Sequence, residues 1–173
     1  MQQITVGFSR PNGWFEPFSW LIRLAYWSPF SHSYIKYSIE EMNLNVIIQA
    51  SGLVINLIGE TVFDSKEIIY KEFTLPISDA DKLSLVEFGL NQLGKPYNVL
   101  GIFGMAWVRF GQLVGLKLKS PFKYNQSSAF CSELVAYMLK NFDNVKISNV
   151  SDLSPKDVYN IVSNINVQSI SQS

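Results

Sequence analysis

Apolar and polar positions change period several times along this chain, and the changes mark out its elements. Residues 3–9 alternate and predict a short strand, closed by turn residues at 10–13. Residues 17–27 are apolar on most sides and predict a helix with Pro17 in its first turn, stopped by Ser28 and Pro29. From 28 to 39 the period is two: His32, Tyr34, Lys36 and Ser38 fall on one side, and Ser33, Ile35, Tyr37 and Ile39 on the other. A polar turn at 40–45 leads into a second strand at 46–50. The hairpin brings Gln49 to the edge that His32 opens.

The middle of the chain is less regular at 52–56 and 61–63, and residues 67–75 predict another strand. Residues 79–93 predict an amphipathic helix capped by Ser78 or Asp79, with Leu83, Val86, Leu90 and Leu93 as its stripe and Gly94 at its end. The segment 95–98 is extended, because the residue before a proline avoids the helical region. A greasy run at 99–116 is interrupted by Gly101, Gly104, Gly111 and Gly115, and a basic, aromatic stretch follows at 117–124. At 129–142, Leu134, Val135, Met138, Leu139 and Phe142 recur at helical spacing, with Glu133 and Lys140 on the other side. Cys131 sits on the buried-facing side of that helix's first turn. Residues 144–148 read as strand or loop, 154–162 as a short helix with Pro155 first, and 163–173 as a polar, fraying tail. No repeat or linker divides the chain, so 1–173 is read as one domain.

Composition narrows the chemistry. The chain has 173 residues, enough for a core without a metal or disulfide staple. Fourteen basic residues balance fourteen acidic ones, which argues against a nucleic-acid partner. One cysteine and one histidine are too few for iron–sulfur clusters or most zinc sites, so neither a metal nor another cofactor is expected. Aromatics at 14% against charges at 16% indicate either a large core or an apolar surface awaiting a partner. Residues 1–10 lack the basic start of a signal peptide, and 99–116 fall short of the roughly 20 residues that span a bilayer. The expected location is cytoplasmic or phage- or virus-associated. The run at 99–116, with Lys117, Lys119 and Lys123 after it, is a core helix, a lid, or a peripheral membrane contact through 99–123.

A thiol at a helix start feels unpaired amides and a partial positive charge, which favour thiolate and can hold an oxyanion. A nucleophilic thiol also needs a base, and the base needs a third group to fix its ring. His32 and Gln49 supply those two roles if folding brings them to Cys131. Taken singly, each has a plainer use: a space-filling thiol, a satisfied histidine, a strand glutamine.

The motifs GKPYN at 94–98 and FCSELVAY at 130–137 resemble the signature of the NlpC/P60 cell-wall peptidase superfamily. There a Gly-x-Pro-Tyr stretch precedes a helix opening on Cys-Ser. Here His32 and Gln49 precede the cysteine, an order similar to the circularly permuted branch, the YiiX-like and lecithin retinol acyltransferase-like proteins. SPFSHSYI at 28–35 and IIQASGLV at 47–54 match that branch's histidine and third-residue segments. The resemblance implies an α+β, papain-like domain whose antiparallel sheet packs on the cysteine helix. It implies catalysis by Cys131, His32 and Gln49, with Tyr97 and Ser132 in the cleft. Departures from the branch are Gln49 and Asn98, where many relatives carry acids. Glu133 follows the branch's Cys-Ser-Glu pattern and is expected to be structural. The implied substrates are a peptide or isopeptide bond, with cell-wall stem peptides foremost, or an acyl lipid. A non-catalytic binding or virion protein could also keep the fold.

Overall fold

The computed structural model describes residues 2–13, 16–52, 54–96, 104, 107–112, 114–119, 131–140, 147, 150 and 153–171. Five strands form one antiparallel sheet: β1 (Gln2–Pro11), β2 (His32–Ile39), β3 (Leu44–Ser51), β4 (Val54–Gly59) and β5 (Glu67–Ile77), in the order β4-β3-β2-β1-β5. Helices among the described residues include α1 (Pro17–Tyr26), α2 (Glu60–Asp64), α3 (Asp79–Gln92), α4 (Cys131–Leu139) and α5 (Pro155–Ser171). The architecture is α+β, as expected.

The period of two along β2 decides how the layers assemble. Register pairs Val6 with Ile35 and Ile35 with Ile48, so these residues point to one face, where α3, α4 and α5 cover them. Tyr159 fixes α5 there, its ring 5.2 Å from that of Phe8 and 5.3 Å from those of Phe30 and Phe73. The opposite face carries His32, Tyr34 and Lys36, and is closed by a smaller cluster of Tyr34, Ile47 and Phe63. Lys36 reaches Glu60 of α2 and Glu72 of β5, both at 2.8 Å. Partly exposed pairs of this kind contribute about 1 kcal/mol or less each. They hold α2 and β5 to β2 more by position than by energy.

Several boundaries differ from the sequence expectation. Residues 52–56 were expected to be irregular, yet 54–59 form β4, with Ile55 and Leu57 turned to the main core and Gly52 at φ 68° making the turn before it. Residues 60–64 form α2, whose Phe63 is fully buried. Arg10 and Pro11, expected in a turn, extend β1 by pairing with Ile68 and Glu67. The segment 95–98 was expected to be extended, and Lys95 and Pro96 do lie along β4: Ile55 N–H donates to the Lys95 carbonyl at 2.9 Å.

The helices differ too. In α3 the buried side is Leu85 and Gly89, while Leu83 and Leu90 of the expected stripe face solvent. Gly89 sets that rotation. A Cβ there would fall 2.4 Å from Ile48 Cδ1 and 3.0 Å from Met138 Cε, so the backbone itself packs against β3 and α4. In α4, Glu133 was expected on the polar side but is fully buried, because the sheet and two helices enclose the helix on nearly every side. Residues 163–171, expected to fray, continue α5. No proline or glycine interrupts that stretch.

Gly7 is the tightest backbone position on the second face. Tyr34 pairs with it, lays its ring across it and donates from its hydroxyl to Glu72 Oε1 at 2.7 Å. A Cβ at Gly7 would sit 2.1 Å from Tyr34 Cζ. Gly7→Ala should therefore destabilise the fold by about 1–3 kcal/mol. In a Tyr34→Ala background the same change should cost much less, which a double-mutant cycle by thermal denaturation would measure.

Candidate active site

Four elements converge at the start of β2. His32 is its first residue and opposes Ser9 of β1. The loop before it is tied down on both sides. Ser31 N–H donates to the Ser9 carbonyl at 3.1 Å, and the Ser31 and Ser19 hydroxyls meet at 2.6 Å. His32 is therefore held on its backbone as well as by its ring.

The ring is oriented from β3. Its Nε2–H donates to Gln49 Oε1 at 2.7 Å. An amide oxygen can only accept, so this bond assigns the proton to Nε2 and leaves Nδ1 as the ring nitrogen available to the thiol. Gln49 is fixed in turn from β4: it opposes Asn56 in the register and donates through Nε2 to Asn56 Oδ1 at 3.2 Å. The Asn56 amide group points at the carbonyls of Ser51 and Val54, at 3.4 and 3.5 Å. Three side chains on three strands thus fix one ring orientation.

Cys131 arrives from the other side of the sheet. Helix α4 packs on β2 and β3 across the main core, and its first residue reaches His32 where β2 begins. The Cys131 side chain is hydrogen-bonded to His32. Both groups are buried, at 2% exposure for Cys131 and 8% for His32. Burial opposes a charge on His32, but the Cys131 hydrogen bond, the negative charge on that sulfur, the Glu67 carboxylate and the Gln49 hydrogen bond together raise its pKa from 6.5 to about 9. The raised value keeps His32 protonated at neutral pH, and a positive ring beside Cys131 favours the thiolate form of its sulfur.

Two contributors were not anticipated from the sequence. Asn56 fell in a stretch with no clear period, so nothing placed it opposite Gln49. Glu67 opens β5, and its carboxylate accepts from Ser9 Oγ at 2.8 Å beside the histidine. A bulge aids that placement, because the β1–β5 register slips between Phe8 and Ser9.

The remaining expected site residues part company. Ser132 is buried at 1% exposure, and its hydroxyl donates to the Leu153 carbonyl, tying α4 to the approach of α5. It is engaged with backbone instead of being offered to a cleft. Glu133 lies in the first turn of α4 and is fully buried. Tyr97 and Asn98 lie outside the described residues, as does much of 99–123. Among the described residues no three His, Cys, Asp or Glu side chains gather where they could hold a metal. The chain matches no family model and no curated protein sequence.

Because His32 is the only histidine, its ring signals in an NMR titration need no assignment. They should titrate near 9 in the unaltered protein. In Cys131→Ser the midpoint should fall by more than a unit, since burial then meets less opposition. A midpoint that stays put would show that the sulfur does not set the charge of the ring.

Proposed function

We propose that the protein is a thiol-dependent hydrolase of the circularly permuted NlpC/P60 type, with Cys131, His32 and Gln49 as its catalytic triad. The observation that carries the proposal is the contact series Cys131, His32, Gln49, in which the second link measures 2.7 Å. Support also comes from the chain order. A strand opening on the histidine, its hairpin partner bearing the glutamine and a later helix opening on the cysteine are what the permuted branch implies.

The chemistry follows from the charges. The Cys131 thiolate attacks the carbonyl carbon of an amide, and the oxygen takes the negative charge. The partial positive charge at the start of α4, where Cys131 sits, favours this oxyanion. As the tetrahedral intermediate collapses, the C–N bond breaks and His32 passes its Nδ1 proton to the leaving amine. A thioester and a neutral imidazole remain. Water then gives a proton to His32 and its oxygen to the carbonyl, releasing the acid and restoring the ion pair. Gln49 keeps Nδ1 aimed at the sulfur throughout. Being neutral, it orients the imidazolium without adding a full opposing charge, a task to which the nearby Glu67 contributes.

The substrate class proposed first is a peptide or isopeptide bond, such as those of cell-wall stem peptides. An acyl lipid is the second, favoured by the exposed aromatic residues of α1 beside the histidine loop. The same thioester serves both.

Iodoacetamide at pH 6 should alkylate Cys131 at least about tenfold faster than free cysteine, whose thiol is almost wholly protonated there. His32→Ala should remove the excess. Gln49→Ala should lower turnover by about 10–100-fold, and Asn56→Ala by less, with Gln49→Glu retaining most activity. Release of new amines from purified peptidoglycan, lost in Cys131→Ser, would identify the first substrate class, and release of fatty acid from phospholipid the second. Alkylation no faster than that of free cysteine would leave the domain as a binding module.

A further inference from the structure

Helix α1 is laid down with its small side inward. Its buried residues are Ser19, Ile22 and Ala25, one every three positions, while Trp20, Leu24 and the capping Trp27 stand on the opposite side, 60%, 68% and 73% exposed. A helix that only needed to cover a core would turn its tryptophans the other way. Trp27 carries the pattern past the helix end in a left-handed conformation, φ 47°, that large residues seldom adopt.

We infer that this face of α1 is a docking surface for an anionic lipid bilayer, on which the protein rests without crossing it. Ten residues of helix are about 15 Å long, half of the ~30 Å hydrocarbon layer, so α1 lies along the interface. Tryptophan favours that zone because its ring is apolar and its N–H wet. The charges fit an anionic surface. The one charged residue within α1 is Arg23, whose guanidinium lies 5.5 Å from the Trp20 ring, and Lys156 of α5 donates to the Tyr26 and Trp27 carbonyls at 3.1 and 3.4 Å. Residues 107–119 repeat the composition: Trp107 and Phe110 are exposed, the cations are Arg109, Lys117 and Lys119, and acids are absent. In a chain whose charges balance overall, the acid-free run at 107–119 and the α1 region, where Glu16 at the N-cap stands against Arg23 and Lys156, lean to positive charge.

The test uses the full chain and vesicles of phosphatidylcholine with phosphatidylserine. The protein should float with them, more weakly with phosphatidylcholine alone, and be released by salt. Trp20→Ser with Trp27→Ser should lower the bound fraction at least about tenfold while leaving the melting temperature unchanged. Brominated lipids should quench tryptophan fluorescence of the unaltered chain. Cys131→Ser should float like the unaltered protein, so failure of the thiol chemistry leaves this inference standing. Three results would overturn it: protein remaining at the bottom with anionic vesicles, no quenching by brominated lipid, or a folded double variant that floats unchanged. A dimer in sedimentation equilibrium that the double variant dissolves would assign the face to a second copy instead.

Discussion

An imidazole buried in an antiparallel sheet should lose its proton, because taking a charge out of water is costly. In this protein the opposite holds at His32, and the whole site is arranged around that reversal. The sulfur of Cys131 supplies the compensating charge, Glu67 adds to it, and Gln49 accepts the remaining ring proton. Each partner comes from a different element, so the charged state exists only when α4 and β3 are seated on β2 and β5 is paired with β1. Chemistry and folding are coupled at one residue.

That coupling explains why both faces of the sheet are closed. The main core presses α4 against β2 and β3, which sets the height at which Cys131 meets the strand end. The second face, with Phe63 and Tyr34 beneath the histidine, removes water from the ring's other side; the His32 and Tyr34 rings stack with centroids 6.3 Å apart. Burial and the Glu72 carboxylate keep the Tyr34 phenol protonated well beyond its ordinary range, so it acts as a fixed donor that pins β2 to β5. Gly7 makes room for that crossing.

Polar orientation runs outward from the site toward the edge of the sheet. Gln49 orients His32, and Asn56 orients Gln49, each a neutral amide with a donor and an acceptor at opposite ends. A carboxylate in place of Gln49 would need no such support, since both its oxygens accept. An amide can flip, and Asn56 is what distinguishes its two ends. Gln49 thus comes with a second residue that makes an amide work as an orienting group.

Much of this was legible in the residues. The alternation along 32–39 put His32 and Tyr34 on one side and Ile35 and Tyr37 on the other. The hairpin at 40–45 put Gln49 near His32, and apolar spacing after Cys131 turned that thiol inward. These are short-range consequences of strand and helix periodicity. Strand β4 was not legible, since six residues with an asparagine among them show too little period, and so Asn56 was missed. The rotation of α3 was missed because Gly89 counts as nothing in a hydrophobic stripe yet decides which side can approach β3 and α4 most closely. Which side of α1 turns outward was not legible, because periodicity reports that a helix has apolar sides but not which of them finds a partner. The sequence by itself determined the elements and the chemical groups available to them. Only the tertiary structure decided that a thiol and an imidazole far apart in the chain share a charge, because that depends on where the strand end and the helix start meet in space.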